Sequence, residues 1–247
     1  FSGFLEVEPI RPGEHEAAAA RRLLGRMRRL DGPRFFDVVT VDAWYATGPF
    51  FKAVQRLGWG VVSVLKPERY EIYQEATALS RGQKPRAWQW EDRAVDLWEV
   101  KDLPFTAAAV GPVRVVLAEE RWTERQRRAG QTQRVARKSQ WRWVVNQELD
   151  AVDATVIWRI GHQRWGVENH AFNELTQHYH LTPCPRHEAT AIQNWLLILV
   201  LGFNLFELFA RLHGKLWRQG RLTLQELARQ LDRALEAVAE LRPLWSG

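Results

Sequence analysis

Residues 158–181 read WRIGHQRWGVENHAFNELTQHYHL and place Glu168 in the middle of a basic and aromatic segment. Four aromatic residues recur in this segment every seven positions: Trp158, Trp165, Phe172 and Tyr179. The spacing predicts an α-helix, on which Arg164 and Glu168 lie one turn apart. Taken alone, that pair is an ordinary i,i+4 ion pair on an amphipathic helix packed through its aromatic side chains.

The composition favours a folded protein with a polyanionic partner. Hydrophobic residues make up 46% of the 247 residues, which excludes general disorder. The 35 Lys and Arg residues against 29 Asp and Glu give a net charge of +6, and the pI near 9.8 favours nucleic acid as the partner. Cys184 is the only cysteine, so no intrachain disulfide forms and a reducing compartment is expected.

Residues 1–82 alternate between strand and helix patterns. Apolar and β-branched runs predict strands over residues 4–10, 35–44 and 60–65. Helical spacing predicts helices over residues 14–30, 46–57 and 68–79. The second strand is expected to be buried on both faces, and Asp42 lies at its C-terminal end. Alternating strands and helices describe an α/β sheet.

The composition and periodicity of residues 83–149 predict a β-rich insertion, with short strands over residues 94–100, 113–119 and 140–146. A basic run from Arg121 to Arg142 holds eight Lys or Arg residues and one acid, Glu124. The eight are Arg121, Arg125, Arg127, Arg128, Arg134, Arg137, Lys138 and Arg142. Such a run is either a solvated loop or, with Trp122, Trp141 and Trp143 around it, a surface that follows a phosphate backbone.

Residues 150–247 predict a helical C-terminal part. Helices are expected from Asp153 to about Pro183, over residues 187–212, and after Thr223, which forms a capping box with Glu226. The longest apolar run, Trp195–Phe203, is too short to span a bilayer. We therefore expect it to be a buried helix, and we expect no membrane partner.

The segment Arg164–Asn169, RWGVEN, followed by Phe172, Asn173, Glu174 and Leu175, resembles the C-terminal signature of DDE transposases of bacterial insertion sequences, particularly the insertion-sequence-four family. The resemblance implies an α/β fold, with a ribonuclease-H-like mixed sheet, flanking helices, the β-rich insertion and the helical C-terminal part. It also implies that Glu168 is the last of three metal-binding carboxylates. Asp42, followed by Ala43 and Trp44, resembles the family's second Asp, although a strand-end Asp taken alone is usually a turn or cap residue.

The resemblance implies catalytic and metal-binding roles for Asp42 and Glu168. Hard carboxylate oxygens select Mg²⁺ or Mn²⁺, and the implied reaction is metal-dependent phosphodiester hydrolysis followed by strand transfer at the element ends. DNA is the implied partner, bound by a synaptic homodimer in the bacterial cytoplasm and nucleoid. The expected DNA contacts are Arg164, Trp165, Asn169, Arg121, Arg125, Arg127, Arg128, Arg134, Arg137 and Lys138.

The sequence departs from the family pattern at the residues that flank the signature. Gly161 stands where the family has a Tyr, and Leu175 stands where it has a Lys, both of which grip the DNA backbone in the family. The first catalytic Asp is expected upstream of Phe1, because it belongs on a strand before the one predicted near Phe4. Two alternatives stay open: a DNA-binding remnant without a full triad, or a related nuclease that never transfers strands.

A second set of side chains suits tetrahedral Zn²⁺ by ligand type alone. It consists of His178, His180, Cys184 and His187. The spacing fits no standard zinc module, which favours histidines at a helix end and in a loop beside Pro183 and Pro185.

Overall fold

The computed structural model describes residues 3–32, 35–67, 71–105, 110–128, 131–167, 172–177, 181, 188–213, 219 and 223–241, except the side chains at 128, 131, 213, 224, 225 and 238–241. The chain divides into two compact units. The sheet unit is Ile10–Glu168, and the helical unit combines Phe1–Pro9 with Asn169–Gly247. The three-part division predicted at residues 82 and 149 stays a prediction.

The sheet unit is built on a six-stranded mixed sheet. Its strands are β1 Val38–Val41, β2 Gly60–Val64, β3 Arg86–Trp90, β4 Arg93–Pro104, β5 Pro112–Arg128 and β6 Gln131–Val145. Their order across the sheet is β1-β2-β6-β5-β4-β3. Strands β1 and β2 are parallel, and the other neighbours are antiparallel. A mixed sheet flanked by helices confirms the predicted α/β class and is consistent with a ribonuclease-H-like fold.

The helices described in this unit lie on both faces of the sheet. They are α1 Glu16–Asp31, α2 Gly48–Arg56, α3 Glu71–Ser80 and α4 Ala154–Gly166. Helices α2 and α3 cover one face, where Phe50, Phe51 and Ile72 are buried. Helix α4 covers the opposite face through Ile157 and Trp158. The four helices confirm those predicted over residues 14–30, 46–57 and 68–79 and from Asp153, and they give a three-layer arrangement with a core on each side.

Strands β1 and β2 differ in burial because of their places in the sheet. On β2, Val61 faces the α2 and α3 core and Val62 faces the α4 core, and both are buried. This confirms the buried strand predicted over residues 60–65. Strand β1 has only β2 as a neighbour among the described strands, and its four residues are half-buried. The prediction that this strand is buried on both faces is therefore wrong.

Residues 4–10 do not form the predicted strand. A strand needs a neighbour to satisfy its backbone hydrogen bonds, and no described strand pairs with this segment. Instead, the Phe4 N–H donates to Asn204 Oδ1 at 2.8 Å, and the Phe4 ring packs edge-on against Phe203 at 5.3 Å between centroids. Phe4 therefore anchors this segment within the helical unit.

Strands β5 and β6 are far longer than the strands predicted over residues 113–119 and 140–146. They keep one antiparallel register from Arg114 opposite Val145 to Arg128 opposite Gln131. The basic run from Arg121 to Arg142 is thus paired strand, and its interpretation as a loop is wrong. The run carries no alternation of apolar residues, because the residues of its outer part are exposed or at most half-buried, so the period that reveals a strand with one buried face is absent.

The helical unit contains α5 Asn173–Gln177, α6 Ala189–His213 and α7 Leu224–Leu241 among its described residues. The Glu226 N–H donates to Thr223 Oγ1 at 3.2 Å, which confirms Thr223 as the N-cap of α7. The Glu226 carboxylate pairs with Arg229 at 2.8 Å, so the structure shows one of the two bonds of the predicted capping box.

The prediction that Trp195–Phe203 lies in a buried helix is wrong for one face of α6. Helix α6 buries Leu199 and Phe203, but Ile198 is 62% exposed and Leu201 is 57% exposed. By length and composition alone α6 is able to cross a membrane, and 17% of its apolar window is buried. The core helix of a soluble protein meets the same criterion, so this helix does not by itself assign a membrane location.

Candidate functional site

Asp42 lies where predicted, directly after β1. Its side chain is exposed, and Oδ1 caps the 3₁₀ helix Ala43–Tyr45 by accepting the Trp44 N–H at 2.8 Å. Ser63 Oγ donates to the Asp42 carbonyl oxygen at 2.8 Å, which ties the end of β1 to the end of β2. Among the described residues no donor contacts the second carboxylate oxygen, Oδ2. This oxygen is therefore available to a cation.

Helix α4 begins at the opposite end of β2. Leu149, shortly before the helix, packs so closely on Gly60 at the start of β2 that an added Cβ would overlap it. Asp153 caps α4 by accepting the Thr155 N–H at 2.9 Å, and it pairs with Arg86 at 2.7 Å. The hydrogen bonds from Thr155 and Arg86 lower the pKa of Asp153 to about 2. The start of α4 is therefore fixed at the amino end of β2.

The C-terminal half of α4 approaches the sheet end that carries Asp42. Gly161 of α4 packs directly on the indole of Trp143 from β6. Trp143 is the register partner of Val64, the last residue of β2. Ser63, the residue before Val64, donates a hydrogen bond to the Asp42 carbonyl oxygen. Helix α4 therefore runs along the sheet from the amino end of β2 to the end where β1 and β2 stop.

The packing of Gly161 explains one departure from the family pattern. An added Cβ at Gly161 would overlap the Trp143 indole, so the position has no room for the Tyr of the signature. Trp143 is 1% exposed. The buried indole is therefore not accessible to DNA.

Arg164 and Trp165 lie in the last turn of α4. Arg164 is half-buried. Trp165 is 41% exposed, and its ring lies edge-on to Trp141 at 5.7 Å between centroids. Glu168 and Asn169 lie outside the described residues, so the approach of Glu168 to Asp42 stays a prediction.

Strands β5 and β6 form a two-stranded arm at the same end of the sheet. Through Trp143, Val64 of β2 is aligned with Val116 of β5. Strand β5 continues twelve residues further, to Arg128, which is roughly 40 Å at about 3.4 Å per residue. Because β2 and β5 are both antiparallel to β6, they run in the same direction. The arm therefore extends past the sheet end that carries Asp42.

The cations of the arm are concentrated on one of its faces. Opposite residues in an antiparallel pair share a face, and alternate residues along a strand change faces. The register gives one face, here called the cationic face, five Lys or Arg residues: Arg121, Arg125, Arg127, Arg134 and Lys138. Arg125 lies directly opposite Arg134, and like charges in this arrangement repel each other. Arg137 lies on the opposite face of the arm.

Ion pairs separate the expected DNA contacts into two groups. Three are held by acids: Arg121 by Asp96 at 2.6 Å, Arg137 by Glu124 at 2.8 Å and Lys138 by Glu119 at 3.0 Å. Arg125, Arg127 and Arg134 are exposed, and none of the described acids pairs with them. Arg128 lies in β5, but its side chain is outside the described part. The cationic face therefore offers three uncompensated guanidinium groups.

A buried carboxylate that sequence reasoning missed lies between β5 and α4. Glu120 is 0% exposed, and Trp158 Nε1, His162 Nε2 and Arg93 Nη1 lie within 2.9 Å of its oxygens. Burial alone would raise the pKa of Glu120, but the hydrogen bond and charge of His162, with the Trp158 and Arg93 donors, hold it below its usual value. The available signal was its position, since Glu120 follows the buried Val116 at period two on β5.

The described residues contain no group of three or more His, Cys, Asp or Glu side chains that is arranged to hold a metal ion. The zinc set suggested by ligand type, His178 to His187, lies outside them, as does Glu168. Asp42 is therefore the expected metal ligand whose surroundings the structure describes.

Comparison with known families agrees with this layout. The model of the transposase DDE domain matches residues 4–205. The chain belongs to the DDE transposase family. A search of curated proteins gives no match. In this transposase domain the matched residues include β1 with Asp42, the arm and α4. Membership implies polynucleotidyl transfer, a general dependence on divalent metal, and DNA as the partner. The narrower insertion-sequence-four resemblance stays a prediction.

Proposed function

We propose that this transposase domain binds DNA along the cationic face of its arm and performs metal-dependent phosphodiester hydrolysis and strand transfer at insertion-sequence ends. One observation carries the proposal: Asp42, the Arg164 turn of α4 and the arm occupy the same end of the sheet. The cationic face lies on the side of the sheet opposite α4, so a duplex that follows it reaches this end from the side that α2 and α3 cover. Bacterial DNA in the cytoplasm and nucleoid is the proposed substrate, and a synaptic homodimer is the proposed assembly.

The proposed metal ligands are Asp42 and Glu168. Asp42 fits Mg²⁺ or Mn²⁺ because it is an exposed carboxylate with only Oδ1 engaged by the Trp44 N–H, and these hard cations prefer oxygen ligands. Glu168 is proposed from its place in the signature, two residues after the end of α4. When bound, divalent cations would activate the attacking water or hydroxyl and stabilise the leaving oxygen.

The proposed DNA contacts start with Arg125, Arg127 and Arg134. In the free protein the opposed Arg125 and Arg134 destabilise the arm slightly, and a phosphate beside them relieves this repulsion. Exposed guanidinium groups without acidic partners also release counterions when they meet phosphates, which favours binding to any sequence. At the sheet end, Arg164 is proposed to hold a phosphate, and the exposed ring of Trp165 offers a stacking face.

The proposed metal site is tested by the binding of Mn²⁺ to the whole chain, measured by the loss of the free-ion electron paramagnetic resonance signal. We expect Asp42→Asn and Glu168→Gln each to lower the affinity by more than about tenfold, since even partners that only orient a ligand are worth 10–100-fold. Asp37→Asn is the matched control, because Asp37 is exposed at the other end of β1. Equal Mn²⁺ affinity in all four proteins contradicts the assignment.

The same proteins separate the transposase from a DNA-binding remnant. A remnant binds duplex DNA through the arm but shows no Mn²⁺ binding that depends on Asp42. A transposase domain shows both duplex binding through the arm and Mn²⁺ binding that depends on Asp42.

A further inference from the structure

The Glu120 carboxylate joins α4 to three strands of the sheet. Oε1 accepts from Trp158 Nε1 at 2.9 Å and lies 2.6 Å from His162 Nε2, and both residues belong to α4. Oε2 accepts from Arg93 of β4 at 2.9 Å and from Ser139 of β6 at 3.1 Å. One buried side chain thus meets donors from both the helix and the strands on either side of its own.

Hydrogen bonds to the Glu120 carboxylate restrain the orientation of α4 more tightly than a hydrophobic contact would. Trp158 and His162 are four residues apart and lie on the same face of α4, so their two contacts with one oxygen define both the rotation of the helix about its axis and its position along the sheet. Hydrogen bonds lose strength steeply with angle and distance, whereas apolar packing tolerates small shifts. A buried carboxylate is also costly unless it is fully paired, so its presence in the α4 core requires these donors in place.

Aromatic rings pack around this cluster. The His162 ring lies 4.4 Å from the Trp158 ring and 5.4 Å from the Trp143 ring, between centroids. The Trp141 ring lies 5.2 Å from His162 and also contacts Trp165 near the end of α4. The cluster therefore continues toward the turn that carries Arg164.

We propose that Glu120 is a positioning residue, which sets the orientation of α4 and thereby directs the signature residues Arg164 and Glu168 toward the sheet end that carries Asp42. Arg164 follows His162 by two residues in the same helix, so any rotation of α4 at His162 moves the Arg164 side chain as well. The inference rests on the proposed function, because it takes Glu168 as a metal ligand.

The decisive variant is Glu120→Gln, which keeps the shape of the side chain but turns one acceptor oxygen into a donor. One pair of donors then loses its acceptor. The matched control is Glu124→Gln, on the same strand and face but exposed. Helix orientation is read from the distance between spin labels at Gln163→Cys on α4 and Arg56→Cys on α2, across the sheet, in a Cys184→Ser background. Metal affinity is read with Mn²⁺.

We expect Glu120→Gln to broaden the label distances and to lower the Mn²⁺ affinity by about 10–100-fold, while Glu124→Gln changes neither. When the unsubstituted chain binds Mn²⁺, a Glu120→Gln variant that matches Glu124→Gln in either measurement overturns the positioning role. If the unsubstituted chain binds no Mn²⁺, the proposed metal ligands are wrong, and the label distances alone decide whether Glu120 orients α4.

Substitutions of His162 keep the test decisive if Glu120→Gln does not fold. The His162 side chain is 23% exposed, so its replacement disturbs the core less. His162→Ala removes one contact to Oε1 and should shift both measurements in the same direction, by a smaller amount. His162→Gln retains an N–H donor and should restore them. Failure of His162→Ala to shift either measurement overturns the proposal.

Discussion

Simultaneous replacement of Arg125, Arg127 and Arg134 by Gln should weaken DNA binding and flatten its dependence on salt. All three are exposed on the cationic face, and no described acid pairs with them, so each is able to displace a counterion from a phosphate. At about 0.9 per phosphate contact, the slope of log affinity against log salt should fall by about 2.7. Between about 50 and 200 mM salt, the unsubstituted chain should therefore lose about 40-fold more affinity than the variant.

The assay is fluorescence anisotropy of a labelled duplex of arbitrary sequence, titrated at several salt concentrations. Two single variants on β6 provide the matched comparison. Arg134→Gln lies on the cationic face and should reduce the slope by about 0.9. Arg137→Gln lies on the opposite face and is paired with Glu124, so it should leave the slope almost unchanged. Equal slopes for these two variants would refute the assignment of DNA binding to the cationic face.

Urea unfolding distinguishes lost DNA contacts from a damaged arm. Because Arg125 lies opposite Arg134, their replacement removes a repulsion worth a few tenths of a kcal/mol at an exposed site. The triple variant should therefore be as stable as the unsubstituted chain or slightly more stable. A lower unfolding midpoint would mean that the substitutions act through the structure of the arm.

Two further predictions concern α4. Gly161→Ala should lower the free energy of unfolding in urea by about 1–3 kcal/mol, because its Cβ overlaps the buried Trp143. Gly166→Ala is the control, since Gly166 has open space around it, and it should leave the stability unchanged. Equal urea midpoints for the two variants would contradict this packing. Asp153 has a pKa of about 2 in the folded chain and about 3.9 when unfolded, so its ionised form stabilises the fold above about pH 4 and that contribution is lost as the pH falls through 2. Asp153→Asn should therefore lose less stability between about pH 4 and 2 than the unsubstituted chain, and an identical decline would show that the cap is not coupled to folding.

The apolar spacing within a segment correctly predicted those helices and strands whose burial does not depend on distant segments. The helices α1 to α4 and the buried strand β2 follow their apolar spacing. Asp42 was placed correctly because a charged residue after a β-branched run marks the end of a strand. The same reasoning overestimated the burial of β1, since burial depends on how many strands flank it and the sequence of β1 does not contain that information.

The features that the sequence did not predict depend on contacts between residues far apart in the chain. Residues 4–10 have a strand-like composition but no described strand as a partner. Ile198 and Leu201 are apolar and exposed, because an apolar helix is buried only on the faces that other elements cover. In the sequence Glu120 is not distinguished from its neighbour Glu119, because its partners Trp158 and His162 lie 38 and 42 residues away. A pair at such a separation leaves no local signal.

The pairing of β2 with β6 sets the order in which this transposase domain is expected to fold. Val62 pairs with Val145, 83 residues later, whereas β5 and β6 are consecutive strands whose pairing starts at Arg128 and Gln131. Because long loops close more slowly than short ones, the arm should form early, while β1 and β2 wait for Val144 and Val145 to leave the ribosome. We therefore expect the end of the sheet that carries Asp42 to assemble last. A chain that ends before β6 would then leave β2 without its antiparallel partner, and the end of the sheet that carries Asp42 would not become ordered.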